Sequence, residues 1–283
     1  MSLKGKSGIL YVCPTPIGNL EDITLRVLRV LKEADLIAAE DTRVTGKLLT
    51  RYGISKPVVS YREYVEDRRI EKILSHLKEG KSVALVSDAG TPGLSDPGYK
   101  LVREAIERGY RLEVLPGPAA AITALVASGL PTDSFLFEGF LPRKAEERRR
   151  LLKELLQSGR TVVVYEAPHR ILKLLKELSE VAPQRRVAVA RELTKKFEEV
   201  VRGTAAEVAK LLGERPRGEM VVVIDKGVPP ERRLSPDELK SEVERLIALG
   251  VSRRDAVAEA ARRVGLPRRK VYEAIKAVDR KGA

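Results

Sequence analysis

Short apolar, β-branched runs recur along this chain at regular intervals, and amphipathic helical patterns fill the spaces between them. The runs at 9–13, 36–39, 58–61, 83–86 and 112–115 are separated by segments such as 24–33, with Leu25, Leu28 and Leu31 in register. The segment 68–78 likewise places Ile70, Ile73, Leu74 and Leu77 on one face. Strand–helix alternation of this kind specifies an α/β domain with a mainly parallel sheet, and it runs to about Pro118. A second α/β region follows, with strands expected at 135–139, 161–165, 187–190, 198–202 and 220–224. Helices are expected at 144–157, 170–181 and 205–212. The stretch between Ala190 and Glu198 is too short for a helical crossover, so the last three strands can pair antiparallel in part. Val228-Pro229-Pro230 reads as a linker.

The tail is helical by pattern. Leu239, Val243, Leu246 and Ile247 share one face, as do Ala256, Ala260, Ala261 and Val264, then Val271, Ile275 and Val278. The turn Gly265-Leu266-Pro267 points to a helix-turn-helix-like bundle. The expected organisation is therefore an α/β domain at 1–118, a second at 119–230, and a basic helical domain at 231–283. The tail carries 14 basic against 9 acidic residues, with Arg253, Arg254, Arg262, Arg263, Arg268, Arg269 and Lys270 around that turn. Either a solvated face or a nucleic-acid contact accounts for the cluster.

The whole chain has 283 residues and a net charge of +13, which points to an anionic partner. No run approaches the length of a membrane span, and the apolar stretch near the N-terminus is too short for a signal peptide. Cys13 is the single cysteine, so no intrachain disulfide can form, which suits a cytoplasmic setting. With His76 and His169 the only histidines, no His/Cys metal site is expected. One Asn, two Gln and two Met in a 33% charged chain resemble a thermophile's usage.

The strand exits are the unusual part. Ser87–Gly98 reads SDAGTPGLSDPG, with three glycines, two prolines and two aspartates in twelve residues. Glycine permits positive φ and close backbone approach, while proline fixes φ and removes a donor. Such a loop is either a tight structural turn or a presenter of amides and Asp88 to a ligand. Comparable exits are PTPIGNLEDIT (14–24), AAEDTR (38–43), LPGPA (115–119), EGFLPR (138–143), YEAPHR (165–170), RELTK (191–195) and RGEM (217–220). Parallel strands aim their carboxyl ends at one crevice, so these loops can converge. Familiar alternatives are missing: the Gly-Lys-Ser triplets at 5–7 and 80–82 lack the Walker spacing, and no G-x-G-x-x-G or G-x-S-x-G occurs.

PTPIGNLxDIT, AAEDTR, SDAGTP, DPG, PGPxAAITAL, GFLPRK, HR, RELTK and GEM together resemble the tetrapyrrole-methylase superfamily. Within it they resemble the ribosomal RNA small-subunit methyltransferase I family, over nearly all of residues 10–224. The resemblance implies two α/β domains with a cofactor cleft between them and S-adenosylmethionine as cofactor. It implies 2′-O-methylation of a cytidine in the decoding region of 16S rRNA, with the small ribosomal subunit as partner, and a homodimer. Other superfamily branches carry a glycine-rich first loop where this chain has Pro14–Asn19, which favours the RNA branch. Two departures are Gly93-Leu94-Ser95 after the SDAGTP proline, where a bulkier residue is frequent, and Ala167-Pro168 before His169. The competing readings are a tetrapyrrole or other small-molecule methylase, and a non-enzymatic ribosome-assembly factor that binds RNA.

By the same resemblance Pro16, Asp88, Ala89, Gly90, Leu115, Gly117, Ala119, Tyr165, Leu193 and Met220 line the cofactor pocket. A neutral ribose hydroxyl needs a base, and the candidates are Asp41, Glu40, Glu166, Glu192 and His169, with orientation alone as the alternative. Arg43, Arg143, Lys144, Arg170, Arg191 and Lys195 are the natural phosphate contacts, joined by Arg268, Arg269 and Lys270 of the tail. Solvated surface charge remains the alternative for each, and an internal pair with Glu192 the alternative for Arg191 and Lys195. With 4% aromatic residues and no Trp, recognition through phosphates and shape is expected over base stacking.

Overall fold

The computed structural model describes residues 8–62, 66–227, 236–264 and 266–279. The chain divides into two compact units, residues 1–156 with 160–225 and residues 157–159 with 226–283. The larger unit holds two five-stranded sheets. Strands β1 (Ile9–Val12), β2 (Leu36–Ala39), β3 (Val58–Ser60), β4 (Ser82–Val86) and β5 (Arg111–Val114) form the first, all parallel, in the order β3-β2-β4-β1-β5. Its inner strands β2 and β4 are buried on both faces, which is why they read as unbroken apolar runs, while the edge strands β3 and β5 are only partly covered. Ile37, Ala39, Ala84 and Val86 pack under α1 (Leu25–Glu33) and α2 (Thr42–Arg51). Leu36, Ala38, Val83 and Leu85 pack under α3 (Glu66–Lys78) and α4 (Tyr99–Glu107). Thr24 caps α1 by accepting from Val27 N at 3.1 Å, and Asp41 caps α2 by accepting from Arg43 N at 2.8 Å.

The second sheet comprises β6 (Phe135–Phe140), β7 (Thr161–Glu166), β8 (Arg186–Arg191), β9 (Glu199–Thr204) and β10 (Met220–Ile224), in the order β6-β7-β10-β8-β9. Only β6 and β7 are parallel. β10 runs antiparallel to both β7 and β8, and β8 to β9. β8 and β9 extend past their apolar runs because backbone pairing continues to Arg191 and Thr204. On one face Val162, Val164, Val222 and Ile224 pack with α6 (Ala145–Gln157), α7 (Ile171–Val181) and α8 (Ala205–Leu212). On the other, Val163, Val221 and Val223 pack with Ala121, Ala124 and Leu125 of α5 (Ala120–Ser128). Thr204 and Glu207 form a reciprocal capping box at the start of α8.

The smaller unit is a bundle of α9 (Pro236–Ala248), α10 (Arg253–Val264) and α11 (Arg268–Asp279) around Leu239, Val243, Ala256, Ala260, Val271 and Ile275. The linker at 228–230, Gly265 of the turn and the side chains of Arg262 and Arg263 lie outside the described residues. Among the described residues, no helix is long and apolar enough to cross a membrane.

Candidate active site

Strand order sets the site. With β2, β4, β1 and β5 side by side, their carboxyl-end loops stand in one row, AAEDTR beside SDAGTP beside PTPIGN beside LPGPA. Each is in contact with the next. Glu40 Oε2 accepts from Asp88 N at 3.2 Å, and Asp88 Oδ1 accepts from Asp41 N at 2.9 Å, a reciprocal clasp. Thr15 and Gly90 exchange backbone bonds of 2.8 and 3.0 Å, and Thr15 Oγ1 donates to Ser87 O at 3.0 Å. Thr91 Oγ1 donates to Pro118 O at 3.3 Å. A Cβ at Gly117 would lie 2.6 Å from Pro14 Cβ, so glycine is needed there to let the first and fourth loops touch.

The second sheet brings EGFLPR, YEAPHR, RELTK and RGEM to one end, since β10 begins where β7 and β8 finish. Glu192 and Thr194 both hold positive φ, +50° and +65°. Glu192 Oε1 accepts from Glu219 N at 3.2 Å and from Lys195 Nζ at 3.1 Å. Its side chain occupies the space that a Cβ at Gly218 would need. The first loop reaches this side as well. Asn19 N donates to Thr194 Oγ1 at 3.0 Å, and a Cβ at Gly18 would meet Leu193 O at 2.8 Å.

Between these two sets of loops lies a cavity of roughly 320 Å³. Gly90, Ala119, Tyr165, Leu193 and Met220 give it a mainly apolar wall, and Thr91, Ser95, Asp96, Glu166 and Glu219 supply polar groups. Gly90 has φ +77°, and a Cβ there would meet nothing closer than Ile17 Cγ2 at 3.6 Å. A second cavity, also about 320 Å³, adjoins it through Ile17, Ala89 and Glu219 and is lined further by Pro16, Lys47, Asp88 and Lys195. A third, about 770 Å³, shares Phe140, Glu166 and Ala167 with the first and holds Arg143, His169 and Lys173.

The structure thus gathers Ala89, Gly90, Ala119, Tyr165, Leu193 and Met220 at the first cavity, and Pro16, Asp88 and Ala89 at the second. Leu115 is 1% exposed in the core of the first sheet and Gly117 packs on Pro14; neither lines any of these three cavities. Burial pushes the Tyr165 hydroxyl up. The acids expected to serve as base separate by environment. Hydrogen bonds from the Arg43 side chain and backbone, with Arg62 nearby, hold Asp41 far below the usual carboxylate range. Burial pushes Glu40 and Asp88 up, against the backbone bonds they accept. Glu166 is also raised by burial; its Oε1 accepts from Ala167 N at 2.9 Å and pairs with Arg170 Nε at 3.0 Å. Its Oε2 is buried without a hydrogen-bond partner among the described residues. Glu192 is tied into its loop, and His169 lines the third cavity and not the first.

Asp96 was not among the acids expected. Burial pushes its carboxyl up to about 6, aided by repulsion from Glu40, Asp88 and Glu219 and opposed by a hydrogen bond with Ser87. Gly93, Ser95 and Gly98 hold positive φ of +84°, +64° and +149°, folding the loop back on itself. SDPG reads as a turn in sequence. Its available signal was the one that singled out Asp88, an acid inside a glycine- and proline-rich strand exit.

Of the expected phosphate contacts, Arg170 is mostly internal, donating to Leu141 O at 2.8 Å as well as pairing with Glu166. Arg191 pairs with Glu199 at 2.6 Å, and Lys195 bridges Glu192 and Glu219 at 3.1 Å each. Burial lowers the Lys195 ammonium, but those two carboxylates outweigh it and raise the group. Arg43 is exposed beyond its Asp41 clasp, Lys144 pairs with Glu147 on the surface, and Arg143 is exposed. In the smaller unit Arg268, Arg269 and Lys270 are exposed, with Arg269 paired to Glu273 at 2.8 Å.

Two α/β halves meeting at a cavity built from strand-exit loops define a methylase of the tetrapyrrole type, and the family model for Tetrapyrrole (Corrin/Porphyrin) Methylases matches residues 10–209. Uroporphyrin-III C-methyltransferase from Thermus thermophilus, solved in complex with S-adenyl homocysteine, has the same fold. The TM-score is 0.53 at 22% identity, covering 76% of this chain and 97% of that one. Two proteins named Ribosomal RNA small subunit methyltransferase I are much more similar in sequence. That of Halalkalibacterium halodurans is 45% identical over 273 residues, covering 94% of this chain and 93% of that protein. That of Thermotoga maritima is 49% identical over 218 residues, covering 77% of this chain and 98% of that protein. The chain belongs to the ribosomal RNA small subunit methyltransferase I family.

Proposed function

We propose that this protein transfers a methyl group from S-adenosylmethionine to the 2′-hydroxyl of a cytidine in the decoding region of 16S rRNA. The first cavity fits such a cofactor: Leu193, Met220 and Tyr165 give an apolar wall, and Gly90 lets the backbone of its loop come close without a side chain intervening. Bound there, the cofactor supplies an electrophilic methyl group on a cationic sulfur. What the chain must add is orientation and a proton acceptor for a hydroxyl that is a poor nucleophile while neutral.

Asp96 carries the reading. It lines this cavity with a carboxyl pushed up to about 6, and at neutral pH it is ionised yet incompletely solvated, as a general base should be. Glu40, Asp41 and Asp88 position the loops through their reciprocal bonds. Arg143, His169 and Lys173 in the third cavity, with the exposed basic residues of α11, offer contacts to the RNA backbone. The working unit in this reading is a homodimer, which light scattering in solution checks.

The test is methyl transfer from labelled cofactor to small ribosomal subunits that lack native modifications, with mass mapping of the product. Ribose-methylated cytidine is expected, and Gly90→Val should abolish both transfer and cofactor binding, since φ +77° is strained for a β-branched residue. Cofactor binding without RNA methylation would shift the acceptor to a tetrapyrrole. Loss of both in the wild-type chain would leave an RNA-binding assembly factor.

A further inference from the structure

We infer that the second cavity is the acceptor-nucleoside pocket, with the Thr45 hydroxyl and the Lys47 ammonium as its recognition groups; this rests on the RNA-methylating reading above. Three observations carry it. The first is position. This cavity shares Ile17, Ala89 and Glu219 with the first, and Ser87, which lines it, is also hydrogen-bonded to Asp96. The proposed base therefore lines the first cavity beside a residue that lines the second, the side from which an acceptor oxygen would have to reach the methyl group. At roughly 320 Å³ the space suits one nucleoside lifted out of its helix.

The second is an orphan. Thr45 is 3% exposed and its Oγ1 is buried with no hydrogen-bond partner among the described residues, although its backbone N bonds normally to Asp41 O at 3.1 Å. A threonine hydroxyl inside a helix ordinarily returns to the carbonyl four residues back. A buried hydroxyl without a partner is costly, and one that lines a cavity is poised for a group the ligand brings.

The third is the lining itself. Leu20 and Val44 are each 41% exposed and face the same space as Ile17 and Leu48, an aliphatic surface for the face of a base in a chain poor in aromatic residues. Lys47 is exposed on the rim, with no salt bridge among the described residues, and Lys195 also lines the cavity, shared between two carboxylates. An apolar slot with a cation at its edge takes a base and an adjoining phosphate.

The experiment compares Thr45→Val, Thr45→Ser and Lys47→Gln with wild type on unmodified small subunits, reading kcat/KM, cofactor Kd by calorimetry, and Tm. Thr45→Val is expected to keep or raise Tm, since it removes an unsatisfied hydroxyl, to leave cofactor Kd unchanged, and to lower kcat/KM about tenfold or more. Thr45→Ser should retain most of the activity, and Lys47→Gln should raise KM for subunits several-fold with a shallower salt dependence. Wild-type kcat/KM in Thr45→Val or in Lys47→Gln overturns the assignment. Equal losses in Thr45→Val and Thr45→Ser together with a lower Tm assign the position to packing and overturn it too. If wild type itself methylates no RNA, or methylates a base, the functional reading fails first, and the two failures are told apart.

Discussion

Asp96 is the residue on which pH should act. A base works only when ionised, so kcat/KM should fall as pH drops through about 6 and be insensitive to this group above it. Ser87 lowers the value by hydrogen bonding, so Ser87→Ala should move the acid limb to higher pH. A pH–rate profile whose limb stays in place in that variant would rule Asp96 out as the titrating group. Stability gives an independent readout. The folded value lies above the unfolded one, so the penalty for ionising Asp96 is nearly absent near pH 4 and complete above about 6. Asp96→Asn should therefore stabilise the fold by about 1 to 2 kcal/mol at pH 8, discounted for partial exposure, and by little at pH 4. Residues such as Gly90 and Asp88 are legible in sequence because their loops have no other reason to look as they do. Burial inside a cavity leaves no such mark, which is why Thr45 is silent there and why Asp96, in the same glycine- and proline-rich exit as Asp88, is not told apart from a turn residue.

At the scale of elements, one buried ion pair organises the exit from β6. Arg148 of α6 donates to both carboxylate oxygens of Glu177 on α7 at 2.6 and 2.7 Å, and to Pro142 O and Arg143 O at 3.2 and 2.9 Å. Both side chains are 4% exposed. Glu177→Ala leaves a buried guanidinium uncompensated and should cost about 3–5 kcal/mol, on the order of 10 °C in Tm for a unit of this size. A thermal melt unchanged within a degree or two would show that water replaces the carboxylate. The strands of both sheets are legible from their β-branched runs, and antiparallel pairing follows from the short stretch after Ala190. Helices α2 and α5 are not. α5 is apolar on every side and so has no stripe, and α2 starts inside the AAEDTR motif, whose Asp41 doubles as its N-cap. The Arg148–Glu177 pair joins residues 29 apart and has no local signature.

For the whole molecule, charge is the relevant quantity. The net +13 includes exposed Arg253, Arg254, Arg268, Arg269 and Lys270 at the starts of α10 and α11. Reversing Arg268 and Arg269 to Glu should weaken binding to small subunits and flatten its log–log salt dependence by about 1 to 2, with cofactor affinity untouched. Unchanged affinity and slope would leave that cluster as solvated surface. The Thermotoga maritima relative matches only 77% of this chain while 98% of its own length is covered, so membership of the family does not require the full span found here. Within the larger unit, residues 15–19 are bonded at Thr15 to the loop after β4 and at Asn19 to Thr194 across the site. That segment acts as a tie-bar. Two halves joined this way should rotate little against each other, leaving the mouths of the cavities as the route for ligand traffic without a hinge. With the site ordered before any ligand arrives, binding should proceed without a slow closing step.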